Sequence, residues 1–212
     1  MELPVMTDLD QALVDIRSIR RQVARTAEFR GYGPLTLSST AVVALLAGAA
    51  QSYWVPEPLG HPAAYVVLWL SAAVLCAALI ATQMLTRAHR MHSDMADEMI
   101  RAAVAQFLPA AIAGAVLPFV LLRFAEPQAF RLLPGLWQIL FSLGVFASCR
   151  GMSRLLLIAG AWFMLTGFLC LALGDARSLM PTAMVVPYAV GMIFIAAVHF
   201  YSARRESIND EV

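Results

Sequence analysis

The chain contains no lysine, so all 15 of its basic side chains are arginine, and against 14 acidic ones they leave a formal net charge of only +1. No whole-chain positive field exists to attract a polyanion, and no nucleic-acid partner is expected. Cysteine is scarce too. Cys76, Cys149 and Cys170 are odd in number, lie inside apolar runs and show no C-x-x-C spacing, which excludes a disulfide framework and a zinc knuckle. No apolar run precedes residue 35, so a secretory signal is absent from the expected position and the N-terminus is expected to be retained. G-x-S-x-G, H-E-x-x-H, paired intramembrane aspartates and a phosphate loop are all lacking. An enzyme is therefore not expected.

What is present in quantity is hydrocarbon. Apolar side chains make up 60% of the 212 residues and charged ones 14%, with a positive mean hydropathy, a composition outside the soluble globular range. The apolar residues gather into six segments, at 35–54, 63–85, 102–122, 132–149, 155–173 and 179–202. Each approaches the about 20 residues that cross a bilayer core. The expectation is an all-α integral membrane protein of six transmembrane helices. A bundle over 35–203 would follow a cytoplasmic helix and joint over 1–34 and precede a short cytoplasmic tail over 204–212.

Arginine sets the orientation. Twelve of the fifteen fall in 1–34, 86–101, 150–154 and the tail, while of the other three connections 55–62 has none, the third-to-fourth has Arg123 and Arg131, and the fifth-to-sixth has Arg177. The positive-inside rule then places both termini in the cytoplasm. Tyr53, Trp54, Tyr65, Trp69 and Trp137 cluster near the outer ends, as an aromatic belt requires. The run Leu133-Pro134-Gly135-Leu136-Trp137-Gln138-Ile139-Leu140-Phe141-Ser142-Leu143-Gly144 resembles segments of small bacterial inner-membrane proteins, which implies that membrane as the location.

Before the first span, Leu9, Leu13, Ile16 and Val23 form an apolar stripe, and Arg17, Arg21 and Arg25 form a ridge beside it. This is the pattern of an amphipathic helix, joined to the bundle through Gly31-Tyr32-Gly33-Pro34. It would contact either the lipid surface or a protein, including a second copy of itself. Small residues at four-residue spacing, Thr40, Ala44 and Gly48, Ala110 and Gly114, and Gly144 and Ser148, read as close-packing helix faces. Pro118 and Pro187 each remove one backbone hydrogen bond inside a span.

The apolar segments carry no Asp, Glu, Arg or Lys, which argues against proton- or ion-coupled machinery. Their polar groups include Ser39, Gln106, Gln138 and Tyr188, the candidates for lining a cavity. Gln138, beside Trp137, calls for a partner across helices. His89 and His92 lie one turn apart, Asp94 and Asp97 follow, and His199 sits at the same predicted end. Together they are candidate ligands for a divalent ion such as zinc, although capping of the next helix explains the acids as well. The spans offer His199 alone as an axial ligand, which excludes haem, and no other cofactor is expected. These features imply a membrane-embedded interaction or regulatory component. A small permease for a neutral solute and a metal-dependent enzyme at the cytoplasmic face are the alternatives.

Overall fold

Proline marks where several helices begin, because its missing N–H falls where a helix has no acceptor for one and its fixed φ suits the first turn. A computed structural model describes residues 34–91, 94–148 and 154–209, and every element among them is helical. These are α1 (Pro34–Trp54), α2 (Pro62–Met91), α3 (Asp94–Phe124), a 3-10 helix (Pro127–Leu132), α4 (Leu133–Ser148), α5 (Arg154–Leu173), a second 3-10 helix (Ala176–Leu179) and α6 (Pro181–Asn209). The six α-helices coincide with the six apolar segments. α2, α3 and α6 extend beyond them by several residues, and α4 gains the preceding 3-10 helix. The N-terminal residues Leu9, Leu13, Ile16, Arg17, Arg21, Val23 and Arg25 lie outside the described residues.

Helix ends have local causes. After α1, Pro56 and Pro58 lack the N–H needed to continue, and the last turn closes with Val55 N–H donating to the Gln51 carbonyl at 2.9 Å. α5 stops at Gly174, whose φ of 54° is a left-handed conformation that costs glycine little. Asp175 follows, and its carboxylate accepts from Arg177 N–H at 2.8 Å to open the second 3-10 helix.

α1 packs on α2 and α6, α5 packs on α4 and α6, and α4 packs on α3, while α2 and α3 touch more lightly, so the chain closes into a ring in sequence order. The short connections after α1, α3 and α5 meet at one end. There the Ser178 hydroxyl donates to the Arg131 carbonyl at 2.8 Å. α4 is the most enclosed helix and buries Leu133, Pro134, Gly135, Trp137, Gln138, Ser142 and Gly144.

The core is mainly apolar but encloses several polar side chains, and the outside of the bundle is unusually rich in large apolar ones. Gln51 and Gln138 are 1% and 0% exposed, whereas Leu46, Val67, Val74 and Leu165 are each more than 60% exposed. Apolar surface on this scale fits a hydrocarbon surrounding. Three helical stretches, Pro62–Gln83, Val104–Phe124 and Pro127–Ser148, are long and apolar enough to cross a membrane, and Leu157–Leu173 and Pro181–Ile195 are shorter apolar helices.

Candidate functional site

The organising feature of the interior is the pair Trp137–Gln138 on α4. A proline at position i leaves the carbonyl at i−4 without its helical donor. Pro118 in α3 therefore frees the Gly114 carbonyl, and Pro187 in α6 frees that of Ala183. The Trp137 indole N–H donates to the Gly114 carbonyl at 2.7 Å, and the Gln138 NH2 donates to the Ala183 carbonyl at 2.9 Å. Two neighbouring side chains on one helix thus complete the backbone of two others. In hydrocarbon no water would do so.

Other side chains also tie elements together, though not at proline-freed carbonyls. Gln51 on α1 donates to the Leu179 carbonyl at 2.8 Å, and its own oxygen accepts from the Trp69 indole of α2 at 2.9 Å. The Ser142 hydroxyl reaches the Gly160 carbonyl of α5 at 2.7 Å, and the Trp162 indole reaches the Pro187 carbonyl of α6 at 3.0 Å. Around these bonds lie two aromatic clusters. Tyr65 lies parallel to Trp137 at 6.3 Å and edge-on to Phe130 at 5.7 Å. Phe141 meets Phe163 at 4.7 Å, and Tyr188 meets Phe163 at 5.1 Å, both at angles that favour ring edges over ring faces.

Backbones approach most closely between α4 and α5. A Cβ on Gly135 would stand 2.8 Å from the Gly167 carbonyl oxygen, and one on Gly167 would stand 2.9 Å from that of Gly135. Elsewhere a Cβ on Gly48 would collide with Val185, and one on Gly144 would lie 2.5 Å from the Phe107 ring. The small-residue faces expected at Gly48 and Gly144 are contact faces.

The candidate cavity residues are dispersed. Ser39 is half-buried on α1, Gln106 is exposed on α3, Gln138 is enclosed and bonded to α6, and Tyr188 packs among Phe141 and Phe163. Two hollows open among the described residues. One of about 510 Å3 is lined by Gln51, Glu57, Leu59, Leu179 and Pro181, and one of about 190 Å3 by Leu59, Leu121, Glu126 and Phe130. Both lie at the loop end. For the metal candidates, His92 and the side chains of His89, Asp94, Asp97 and His199 lie outside the described residues. Among the described ones, no three His, Cys, Asp or Glu residues gather as a ligand set.

Sequence reasoning missed Gln51 and the Gly135–Gly167 approach. Gln51 had a signal, since it lies three residues beyond Gly48 and so continues the face of Thr40, Ala44 and Gly48. Fold and interior together define the class: a helical chain of membrane-spanning character, whose core is cross-linked by side-chain bonds to backbone carbonyls. No family model, curated protein or solved structure matches it.

Proposed function

We propose that the chain is a six-span bacterial inner-membrane protein with both termini cytoplasmic, acting as a membrane-embedded interaction or regulatory component. One observation carries this reading: the NH2 groups of two deeply buried amides, Gln51 and Gln138, each donate to the backbone carbonyl of a neighbouring element. A permeation path needs polar groups free to meet a solute near the midplane. Among the described residues two hollows sit at the loop end, and buried polar side chains such as Gln51, Gln138 and Ser142 tie helices together.

A bundle of this kind would influence other molecules through surfaces outside the bilayer. The helix predicted before Pro34 is the largest such segment. Its apolar stripe of Leu9, Leu13, Ile16 and Val23 suits docking on a protein or on a second copy, and Asp8, Asp10, Asp15 and Glu28 offset Arg17, Arg21 and Arg25 against an anionic surface. Affinity purification from native membranes, comparing the full chain with its Leu13→Asp/Ile16→Asp variant, tests the reading. Loss of a co-purifying protein or of self-association, unaffected by salt, is the expected result. If Arg17, Arg21 and Arg25 to glutamine instead abolished binding to anionic vesicles while the aspartate variant kept every contact, the helix would be a lipid anchor.

A further inference from the structure

The larger hollow at the loop end, of about 510 Å3, falls within the about 300–1,000 Å3 of small-molecule sites. Of the residues that line it, Glu57 alone carries a formal charge, and no basic side chain is among them. A Cβ on Gly60 would stand 3.9 Å from Glu57 Oε2, so the carboxylate lies along the Gly60 wall of this same hollow. The Glu57 carbonyl accepts from Gly60 N–H at 3.0 Å and from His61 N–H at 3.2 Å. With φ fixed at Pro56, Pro58 and Pro62 as well, the carboxylate is presented from a preformed turn. The ion pair at this end joins Arg177 to Asp175, and among the described residues Glu57 has no cationic partner.

Hydrogen-bond donors in the wall are largely committed elsewhere. Pro56, Pro58 and Pro181 have no N–H to offer. The N–H groups of Val55, Gly60 and Met180 donate to the carbonyls of Gln51, Glu57 and Arg177 at 2.9, 3.0 and 3.1 Å. Gln51 gives its NH2 to the Leu179 carbonyl, and the Ser52 hydroxyl donates to the Gly48 carbonyl at 3.0 Å. An anion entering here would meet a carboxylate and few donors to replace its water. A cation would meet its complement, and the rest of the wall would receive an apolar body.

We propose that this hollow binds an organic ammonium ion with a small hydrocarbon body, its cationic head paired with Glu57 and its body against Val55, Leu59 and Leu179. The ligand is a free solute and not a lipid headgroup. A phospholipid ammonium brings a phosphate with it, and that phosphate would face a carboxylate among committed donors. The site lies at the end of α1 away from Pro34, so it stands or falls separately from any docking by residues 1–34.

The full chain in dodecyl maltoside, an uncharged detergent without ammonium groups, tests this with hexyltrimethylammonium as the probe and hexanesulfonate as its anionic counterpart. Equilibrium dialysis against protein-free micelles should show saturable binding of the cation and none of the anion. Glu57→Gln keeps the shape, removes the charge and should weaken binding roughly threefold. Glu126→Gln, in the smaller hollow, should leave it unchanged. Uptake of the cation no greater than by empty micelles, equal binding of the two ions, unchanged affinity in Glu57→Gln or equal loss in both variants would each overturn the proposal. So would tighter binding of dihexanoylphosphatidylcholine than of the probe, which would make the hollow a headgroup site. Should Glu57→Gln fail to fold, the comparison of cation with anion on the unaltered chain still decides.

Discussion

At the scale of single residues, the interior is governed by the arithmetic of proline. Pro187 was visible in the sequence, and with it the freed Ala183 carbonyl, yet nothing in the spacing could say which side chain would fill the gap. Gln138 was equally visible as an amide needing a partner, and the contact between the two is set by how α4 and α6 pack. The pairing leads to a thermodynamic cycle. Gln138→Leu removes the donor and leaves the carbonyl unsatisfied, at an expected cost of roughly 1–2 kcal/mol. Pro187→Ala restores the helical N–H and gives Ala183 a donor within its own helix. On the Pro187→Ala background, Gln138→Leu should therefore cost less by most of that amount. Unfolding in mixed micelles, followed for both single variants and the double, measures the coupling. Additive costs would mean that Gln138 stabilises the bundle by filling space and not by completing α6.

At the scale of elements, helix positions were legible because each apolar run is long and bounded by arginine, proline or glycine. Contacts were legible only where small residues repeat at four-residue spacing. Gly48 and Gly144 carried that signal and are indeed contact points. Gly135 and Gly167 carried none, since neither has a small residue three or four positions away in the pattern that was sought. Their approach is nevertheless the more demanding one. At Gly144 an added Cβ meets the Phe107 ring, a side chain that can rotate aside, whereas at Gly135 it meets the backbone oxygen of Gly167. Gly135→Ala should thus destabilise more than Gly144→Ala, by about 1–3 kcal/mol on the scale of overpacked cores, with Gly144→Leu and Gly48→Leu rising to a similar cost. Melting temperatures of the four variants give the order. If Gly135→Ala melted with the parent, α4 and α5 would have to be able to separate without loss.

At the scale of the whole molecule, the arrangement of ends supplies a constraint that arginine counting alone does not. Six sequential helices joined by short turns must alternate in direction, and the connections after α1, α3 and α5 are gathered at one end by the Ser178–Arg131 bond and by Leu59, which borders both hollows. The Pro34 end of α1 and the Asn209 end of α6 then belong to the opposite end, together with the two remaining connections. In sequence, the segments 1–34, 86–101, 150–154 and 204–212, which the arginine rule assigns to that end, hold twelve arginines, against three in the other connections. Of those three, Arg177 lies 3.7 Å from Asp175 in an exposed pair, and Arg131 has a buried Nε. The prediction follows from both arguments. A reporter active only in the cytoplasm should work when fused after Ser207, and one active only across the membrane should work when inserted within 56–62. Reversal of both signals would keep the bundle and invert its orientation. Activity on the same side for both fusions would mean that an even number of membrane crossings lies between them, where the six-span arrangement requires five, and that arrangement would fall.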